Sequence, residues 1–180
     1  MASASEDAKR QKTEGPICPQ CKKLDALPTD PKTRAESVLW EDERWLVMHK
    51  RPPCGVVGHL MLISKRHFQG PSTMSDDEAA SVGVALRTCE RTLEMVTGCD
   101  RVYTAALGSL KSGAHFHAHM MPIFDAAPPK SVTGTPFDVF LQEKLASEGV
   151  EGVSADPEAC HRVAVAFQAR MAGEQAGSAK

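Results

Sequence analysis

The sequence has 180 residues, with 21 basic and 23 acidic side chains, so the net charge at pH 7 is only −2. This balance argues against bulk, sequence-independent binding of nucleic acid, and the length predicts one domain with extensions. No run approaches the roughly 18 apolar residues of a membrane-spanning helix. Because no secretory signal peptide is recognisable, we expect a cytoplasmic or nuclear protein with reduced cysteines and no membrane partner.

The N-terminal part combines a polar tail with a two-cysteine motif. Residues 1–15 lack large apolar side chains after Met1, which predicts a disordered tail. The motif that follows places Cys18 and Cys21 at Cys-x-x-Cys spacing, and two thiolates at this spacing can bind one cation. A redox pair is the alternative interpretation, although no strand leads into the motif as such a pair would require.

Three strands are predicted in the next part of the chain. Residues 38–40 and 44–48 have the pattern of a hairpin joined by an acidic turn. A basic, proline-containing loop follows at 49–55. Residues 58–63 are almost continuously apolar, which is typical of a strand at the centre of a sheet.

One long helix is predicted from clear local signals. Ser75 and Glu78 form a capping box, and Gly98 is the expected stop about 20 residues later. Apolar residues recur between them at a spacing of three to four, which predicts one buried face. These residues are Ala79, Val82, Leu86, Cys89, Leu93 and Val96.

Three histidines lie close together in the strand that we expect at 115–121. A strand at 101–107 and a loop at 108–113 precede it, so the two strands are predicted to pair as an antiparallel hairpin. His115, His117 and His119 alternate with apolar or small residues, and the period of a strand places all three on one face. The residues alone leave open whether this face binds a metal ion or performs catalysis.

The C-terminal part, residues 126–180, is expected to be an extension rather than a second domain. Its start is rich in alanine, proline and glycine, which predicts a linker. Helical segments are predicted at 137–147 and 157–171, with an unstructured end from Ala172. The cysteines outside the Cys-x-x-Cys motif are expected to be packing residues or surface thiols. They are Cys54, Cys89, Cys99 and Cys160.

Residues 38–122 resemble the histidine-triad (HIT) superfamily of nucleotide hydrolases and transferases. Two motifs carry the resemblance: His115-Phe-His-Ala-His-Met-Met121, and Gly58-His-Leu-Met-Leu-Ile-Ser-Lys-Arg-His67. The resemblance implies an α+β fold, with an antiparallel sheet of about five strands and one main helix, over residues 16–125. It also implies a homodimer.

The resemblance further implies an enzyme with a covalent intermediate. His117 matches the family's nucleophile, which attacks the α-phosphate of a nucleotide and carries the nucleotidyl group. His119 matches the position that donates to the phosphate oxygens, and Ser112 matches a hydroxyl that contacts the leaving group. The implied substrates are nucleoside phosphoramidates or dinucleoside polyphosphates. A catalytically weak nucleotide-binding scaffold, with the C-terminal extension as a partner surface, is the alternative.

Several residues are expected to bind the substrate, and two positions depart from the family pattern. His59 matches a histidine near the leaving group, although a hydrogen-bonded core histidine is equally consistent. Amides of the loop that ends at Gly113 can surround a phosphate. Lys111 stands where the family commonly has glutamine, and the segment at 49–52 lacks the family's ribose-binding acid. Either the register of these loops is shifted, or, with Lys50, these changes indicate a substrate that carries more negative charge and is recognised less through its ribose.

Some family members bind a structural zinc ion, and the resemblance implies the same for this chain. The matching ligands come from three separate segments: Cys18, Cys21, His67 and His115. Two thiolates and two imidazoles form a closed tetrahedral set suited to structural zinc. Under this interpretation His115 leaves the catalytic set, and His117 and His119 remain.

Overall fold

The computed structural model describes residues 18–50, 54–106, 114–125 and 155–178, together with the single positions 138, 139, 141, 145 and 149. The tail predicted at 1–15 and most of the predicted linker and first C-terminal helix lie outside these residues. Three of the predicted site residues also lie outside them: Lys111, Ser112 and Gly113.

Five antiparallel strands form one sheet in the order β1-β2-β3-β5-β4. The strands are β1 (Val38–Glu41), β2 (Trp45–His49), β3 (Leu60–Ser64), β4 (Arg101–Ala105) and β5 (His117–Ile123). The predicted hairpin forms from β1 and β2, and the apolar β3 lies in the middle of the sheet. The antiparallel pairing of β4 with β5 is also as predicted. The expected α+β fold with a five-stranded sheet is confirmed.

Four α-helices and one 3-10 turn have their bounds within the described residues. They are α1 (Pro19–Asp25), α2 (Pro31–Ala35), the 3-10 turn (Pro71–Thr73), α3 (Asp76–Thr97) and α4 (Pro157–Ser178). Among the helices of the described residues, none combines the length and the apolar character needed to cross a membrane.

The ends of α3 are those predicted from the sequence. Ser75 Oγ accepts from the Glu78 backbone N–H at 3.3 Å, and Glu78 Oε2 accepts from the Ser75 backbone N–H at 2.8 Å. Gly98 ends the helix with φ at 64°, a left-handed conformation that glycine adopts without a steric penalty.

The buried face of α3 differs from the prediction at its first turn. Cys89 and Leu93 are fully buried as expected, but Ala79 is exposed. Glu78 is buried in its place, because the capping box and Arg66 satisfy its carboxylate. The two nitrogens of Arg66 donate to the two oxygens of Glu78 at 2.9 and 2.5 Å. Burial here follows the partners of a side chain rather than its hydropathy.

Helix α4 belongs to the main hydrophobic core. Phe167 is completely buried and Met171 is 2% exposed, and both pack in the cluster that α3 forms with the sheet. The Thr92 hydroxyl of α3 donates to Met171 Sδ at 3.2 Å, and the Gln168 amide donates to the Val38 carbonyl at 3.1 Å. The helix continues to Ser178, so the unstructured end predicted from Ala172 is wrong.

Strand β5 separates the core from the candidate site. Phe116, Ala118 and Met120 are buried in the cluster that contains α3 residues. Because side chains alternate along a strand, His117 and His119 point to the opposite face of the sheet. The strand begins at His117, so His115 lies just before it. The sequence predicts a strand that begins at His115.

Candidate active site and metal centre

Two cysteines and two histidines lie close together at the start of helix α1. Cys18 precedes α1 and Cys21 lies within it, while His67 follows β3 and His115 precedes β5. The four possible ligand atoms all lie within 4.8 Å of one another. The structure therefore brings together the whole set that the resemblance implied.

The distances within this cluster fit a tetrahedral zinc ion. His67 Nδ1 and His115 Nδ1 are 3.3 Å apart, and Cys21 Sγ is 3.4 Å from each of them. Cys18 Sγ is 3.7 Å from His115 Nδ1. Zinc bonds of typical length at tetrahedral angles require about 3.3 Å between two nitrogens and about 3.6 Å between sulfur and nitrogen.

The orientation of His115 also suits a metal ligand. Its Nε2–H donates to the Ser64 carbonyl at 2.7 Å, which leaves the lone pair on Nδ1 directed at the cysteines. Such a hydrogen bond from the second ring nitrogen is the usual partner of a metal-bound imidazole. His115 is only 3% exposed, so the cluster is shielded from water at this ligand.

His117 and His119 form a second group on the same strand. Their ring centroids are 4.9 Å apart. The Nδ1–H of His117 donates to the His115 carbonyl at 2.8 Å, so its Nε2 carries the lone pair. The ring is half-buried, whereas His119 is 7% exposed. An imidazole held in this tautomer, with its second nitrogen unprotonated, has the form that a nucleophile requires.

His59 lies directly behind His119. Its Nε2 is 2.9 Å from His119 Nδ1, and its side chain has no exposed surface. This arrangement describes a residue that orients His119, which agrees with the core-histidine alternative. Direct contact between His59 and a substrate stays a prediction.

Of the remaining predicted site residues, only Lys50 is among the described residues. Lys50 follows β2, and its backbone N–H donates to the His59 carbonyl at 2.8 Å, close to the histidine pair. Its role as a cation for the substrate stays a prediction. Ser112, Lys111 and Gly113 lie outside the described residues, so their roles are likewise untested.

A second metal-ligand cluster was missed by the sequence reasoning. His49, Cys54 and Cys160 place their possible ligand atoms within 4.8 Å of one another. The two cysteines are buried, and their sulfurs are 3.7 Å apart although 106 residues separate them in sequence. A hydrogen bond with Cys54 lowers the pKa of the Cys160 thiol to about 5, with a further contribution from His49 and against the effect of burial. No spacing rule connects such distant residues.

Comparison with known proteins identifies the fold. No protein-family model matches the chain, and no curated protein sequence matches it. A zinc-bound histidine triad family protein from Mycobacterium smegmatis is similar in structure, with a TM-score of 0.53 and 16% identity over 91% of this chain and 98% of that chain. A hypothetical histidine triad nucleotide-binding protein from Sulfolobus tokodaii strain7 has a TM-score of 0.55 and 14% identity, over 76% of this chain and 83% of that chain.

A uridylyltransferase mutant extends the comparison to a larger protein. It matches with a TM-score of 0.55 and 15% identity, over 85% of this chain but only 48% of its own length. At these identities the likeness establishes the fold. The resemblance to the histidine-triad superfamily is thereby confirmed at the level of the fold.

Proposed function

We propose that this protein is a nucleotide hydrolase or nucleotidyl transferase that uses His117 as its nucleophile. The observation that carries the proposal is the orientation of that ring. Its Nδ1–H is bonded to the His115 carbonyl at 2.8 Å, which leaves the Nε2 lone pair beside His119 on the sheet face away from α3. The histidine-triad fold and both sequence motifs support the same assignment.

The reaction that this geometry favours has two displacements at the α-phosphorus. His117 Nε2 attacks the phosphorus, and the bond to the leaving group breaks, so the leaving group departs with the electron pair and takes up a proton. Water then attacks the phosphorus and releases one proton, which balances the proton taken up by the leaving group; the phosphorus–nitrogen bond breaks, and its electron pair returns to Nε2. The products are a nucleoside monophosphate and the free leaving group. Nucleoside phosphoramidates and dinucleoside polyphosphates are the proposed substrates.

His59 and His119 together supply a hydrogen-bond donor for this reaction. When His59 Nε2–H donates to His119 Nδ1 across 2.9 Å, His119 carries its own proton on Nε2. That proton is then available to the phosphate oxygens, where negative charge develops. Ser112 and the loop amide of Gly113 are proposed to contact the leaving group and the phosphate. Lys50 and Lys111 are proposed to bind additional negative charge on the substrate.

We also propose that the cluster of Cys18, Cys21, His67 and His115 holds a structural zinc ion. The donor set and its spacing fit tetrahedral zinc, and the ligands come from three separate segments. When bound, zinc supplies folding energy by linking these segments, and it takes no part in the reaction. Homodimer formation is proposed in addition, because β4 is an edge strand and Tyr103 on it is exposed.

The nucleophile is tested by trapping the covalent intermediate. Wild-type protein is mixed with a substrate that carries a labelled α-phosphate and is quenched in alkaline denaturant, because a phosphoramidate is labile in acid. We expect label on the peptide that contains His117, and we expect His117→Ala to lower turnover by at least about 1,000-fold. His161→Ala, at an exposed histidine of α4, is the matched control and should leave turnover unchanged. Label on any other residue would refute the assignment.

The structural zinc is tested by metal analysis of single variants. Cys21→Ser and His67→Ala should each lose one zinc equivalent and lower the melting temperature, because each change opens a closed four-ligand site on the side that is partly exposed to water. Full retention of zinc by both variants would contradict the proposed ligand set. The measurements are element analysis of desalted protein and thermal unfolding followed by circular dichroism.

The scaffold alternative receives less support from the fold. Its proposed partner surface is the C-terminal extension, but the large apolar residues Phe167 and Met171 of α4 are buried in the core. Among the described side chains of that helix, those of its outer face, which include the half-exposed Val165, are available to a partner.

A further inference from the structure

We propose that His49, Cys54 and Cys160 form a second metal site, which binds zinc and attaches the C-terminal helix to the sheet. The three ligand atoms lie within 4.8 Å of one another, and the cluster shares no residue with the four-ligand centre at Cys18. Neither the nucleotide chemistry proposed for His117 nor the structural zinc site depends on it.

The sulfurs of Cys54 and Cys160 already have the separation that a shared zinc ion requires. Cys54 has no exposed surface and Cys160 is 5% exposed, and neither cysteine is in a disulfide. Their sulfurs are 3.7 Å apart. Two thiolates bound to one tetrahedral zinc ion are about 3.8 Å apart, given zinc–sulfur bonds of about 2.3 Å. A zinc ion therefore fits between these thiols without a change in their separation.

The tautomer of His49 and the burial of its second ring nitrogen also suit a metal ligand. Its Nδ1–H donates to the Lys50 carbonyl at 2.7 Å, so the lone pair is on Nε2. Nε2 is buried and has no partner at normal hydrogen-bond geometry, and the possible ligand atom of His49 lies within 4.8 Å of both sulfurs. A buried polar nitrogen without a partner costs free energy, and a metal ion would remove that cost.

The donor atoms of the cluster and the residues around them favour zinc. Soft sulfur donors with one imidazole select zinc over magnesium or calcium. Two thiolates and a neutral imidazole balance the charge of a divalent cation, so the loaded site is neutral and its burial is inexpensive. Ala155, Ala159 and Val163 pack around the cysteines and give the site an apolar wall. Three protein ligands leave one coordination position for a water molecule or another small ligand.

The position of the cluster gives the site a structural consequence. His49 ends β2, Cys54 lies in the loop after it, and Cys160 lies in the first turn of α4. Next to the cluster, the Ala155 N–H donates to the Cys54 carbonyl at 2.7 Å. A metal ion here would connect the start of α4 to the sheet across a gap of 106 residues in sequence.

The test is a titration of reduced, metal-free, full-length protein with zinc and, separately, with cobalt(II) under anaerobic conditions. We expect the wild type to bind two equivalents per chain. Cys54→Ser and Cys160→Ser should each bind one, and so should Cys21→Ser, which removes the other centre. Cys99→Ser is the matched control, because Cys99 is a thiol outside both clusters, and it should still bind two.

The cobalt titration separates the two centres and keeps the proposal falsifiable if one variant folds poorly. In Cys21→Ser protein, the remaining cobalt should show thiolate-to-cobalt charge-transfer absorption, and adding Cys160→Ser should abolish it. The proposal is overturned if Cys54→Ser and Cys160→Ser both retain two equivalents. It is also overturned if the folded wild type binds only one equivalent of metal and the Cys21→Ser variant binds none. The proposal is likewise overturned if Cys54 and Cys160 form a disulfide and the wild type binds only one equivalent of metal.

Discussion

Replacement of Phe167 by alanine tests whether α4 is an integral part of the fold. The side chain has no exposed surface, and it packs in the main cluster with residues of α3 and the sheet. Truncation of a fully buried phenylalanine to alanine costs about 3–5 kcal/mol, because the apolar burial is lost and a cavity remains. That loss is a large share of a total stability of about 5–15 kcal/mol.

The assay is urea unfolding in reducing buffer, followed by circular dichroism. With a slope of about 2 kcal/mol per molar urea, the midpoint of Phe167→Ala should fall by about 1.5–2.5 M. Val165→Ala is the matched control, since Val165 lies two residues away on the same helix and is 50% exposed. Its substitution should change the free energy of unfolding by no more than about 0.5 kcal/mol.

Docking of α4 on the core is refuted if the free energies of unfolding of Phe167→Ala and Val165→Ala differ by less than about 1 kcal/mol. Such a result would mean that α4 is not docked on the core in solution. The C-terminal extension would then be free to act as a partner surface, which the scaffold alternative requires.

Two further predictions concern stability. Hydrogen bonds from Arg34 and an ion pair with Lys65 lower the pKa of Glu41 from 4.5 to about 2. The ionised Glu41 carboxylate therefore stabilises the folded state fully above pH 4.5, and this stabilisation is lost as the pH falls toward 2. Glu41 and its cationic partners are partly exposed, so solvent weakens their interaction. Between pH 4.5 and pH 2, the free energy of unfolding of the wild type should therefore fall by about 1 kcal/mol more than that of Glu41→Gln. An equal fall in both proteins would contradict the proposed role of Glu41. Gly58→Ala should cost about 2 kcal/mol in urea unfolding, since φ is 84° and the new Cβ would lie 3.1 Å from Pro122. Gly83→Ala, where nothing lies within 4 Å of the new Cβ, should instead stabilise the helix by about 0.5–1 kcal/mol; equal effects would exclude backbone strain at Gly58.

The division of the three histidines shows how far the motif alone reaches. The alternation predicts one shared face, and only the family resemblance separates His115 from the other two. The structure adds a physical reason for that separation. Strand β5 begins at His117, so His115 lies beyond the paired part of the strand and turns toward Cys18 and Cys21.

The first turn of α3 shows where hydropathy misleads. The helical pattern assigned Ala79 to the buried face, yet Glu78 is the buried residue. Its carboxylate is satisfied by the Ser75 backbone N–H and by Arg66, a residue that precedes the helix. The capping box is a local signal and was predictable, whereas the contribution of Arg66 depends on how the preceding loop folds.

The sequence by itself determined the elements that depend on neighbouring residues. These are the strand alternation, the capping box, the left-handed stop at Gly98, and the motifs that identify the fold. The tertiary structure alone decided which distant residues meet. It buries Phe167 of a weakly patterned helix in the core, and it brings the sulfurs of Cys54 and Cys160 to 3.7 Å from each other. Local signals come from backbone geometry over a few residues, whereas such contacts depend on the packing of whole elements against one another.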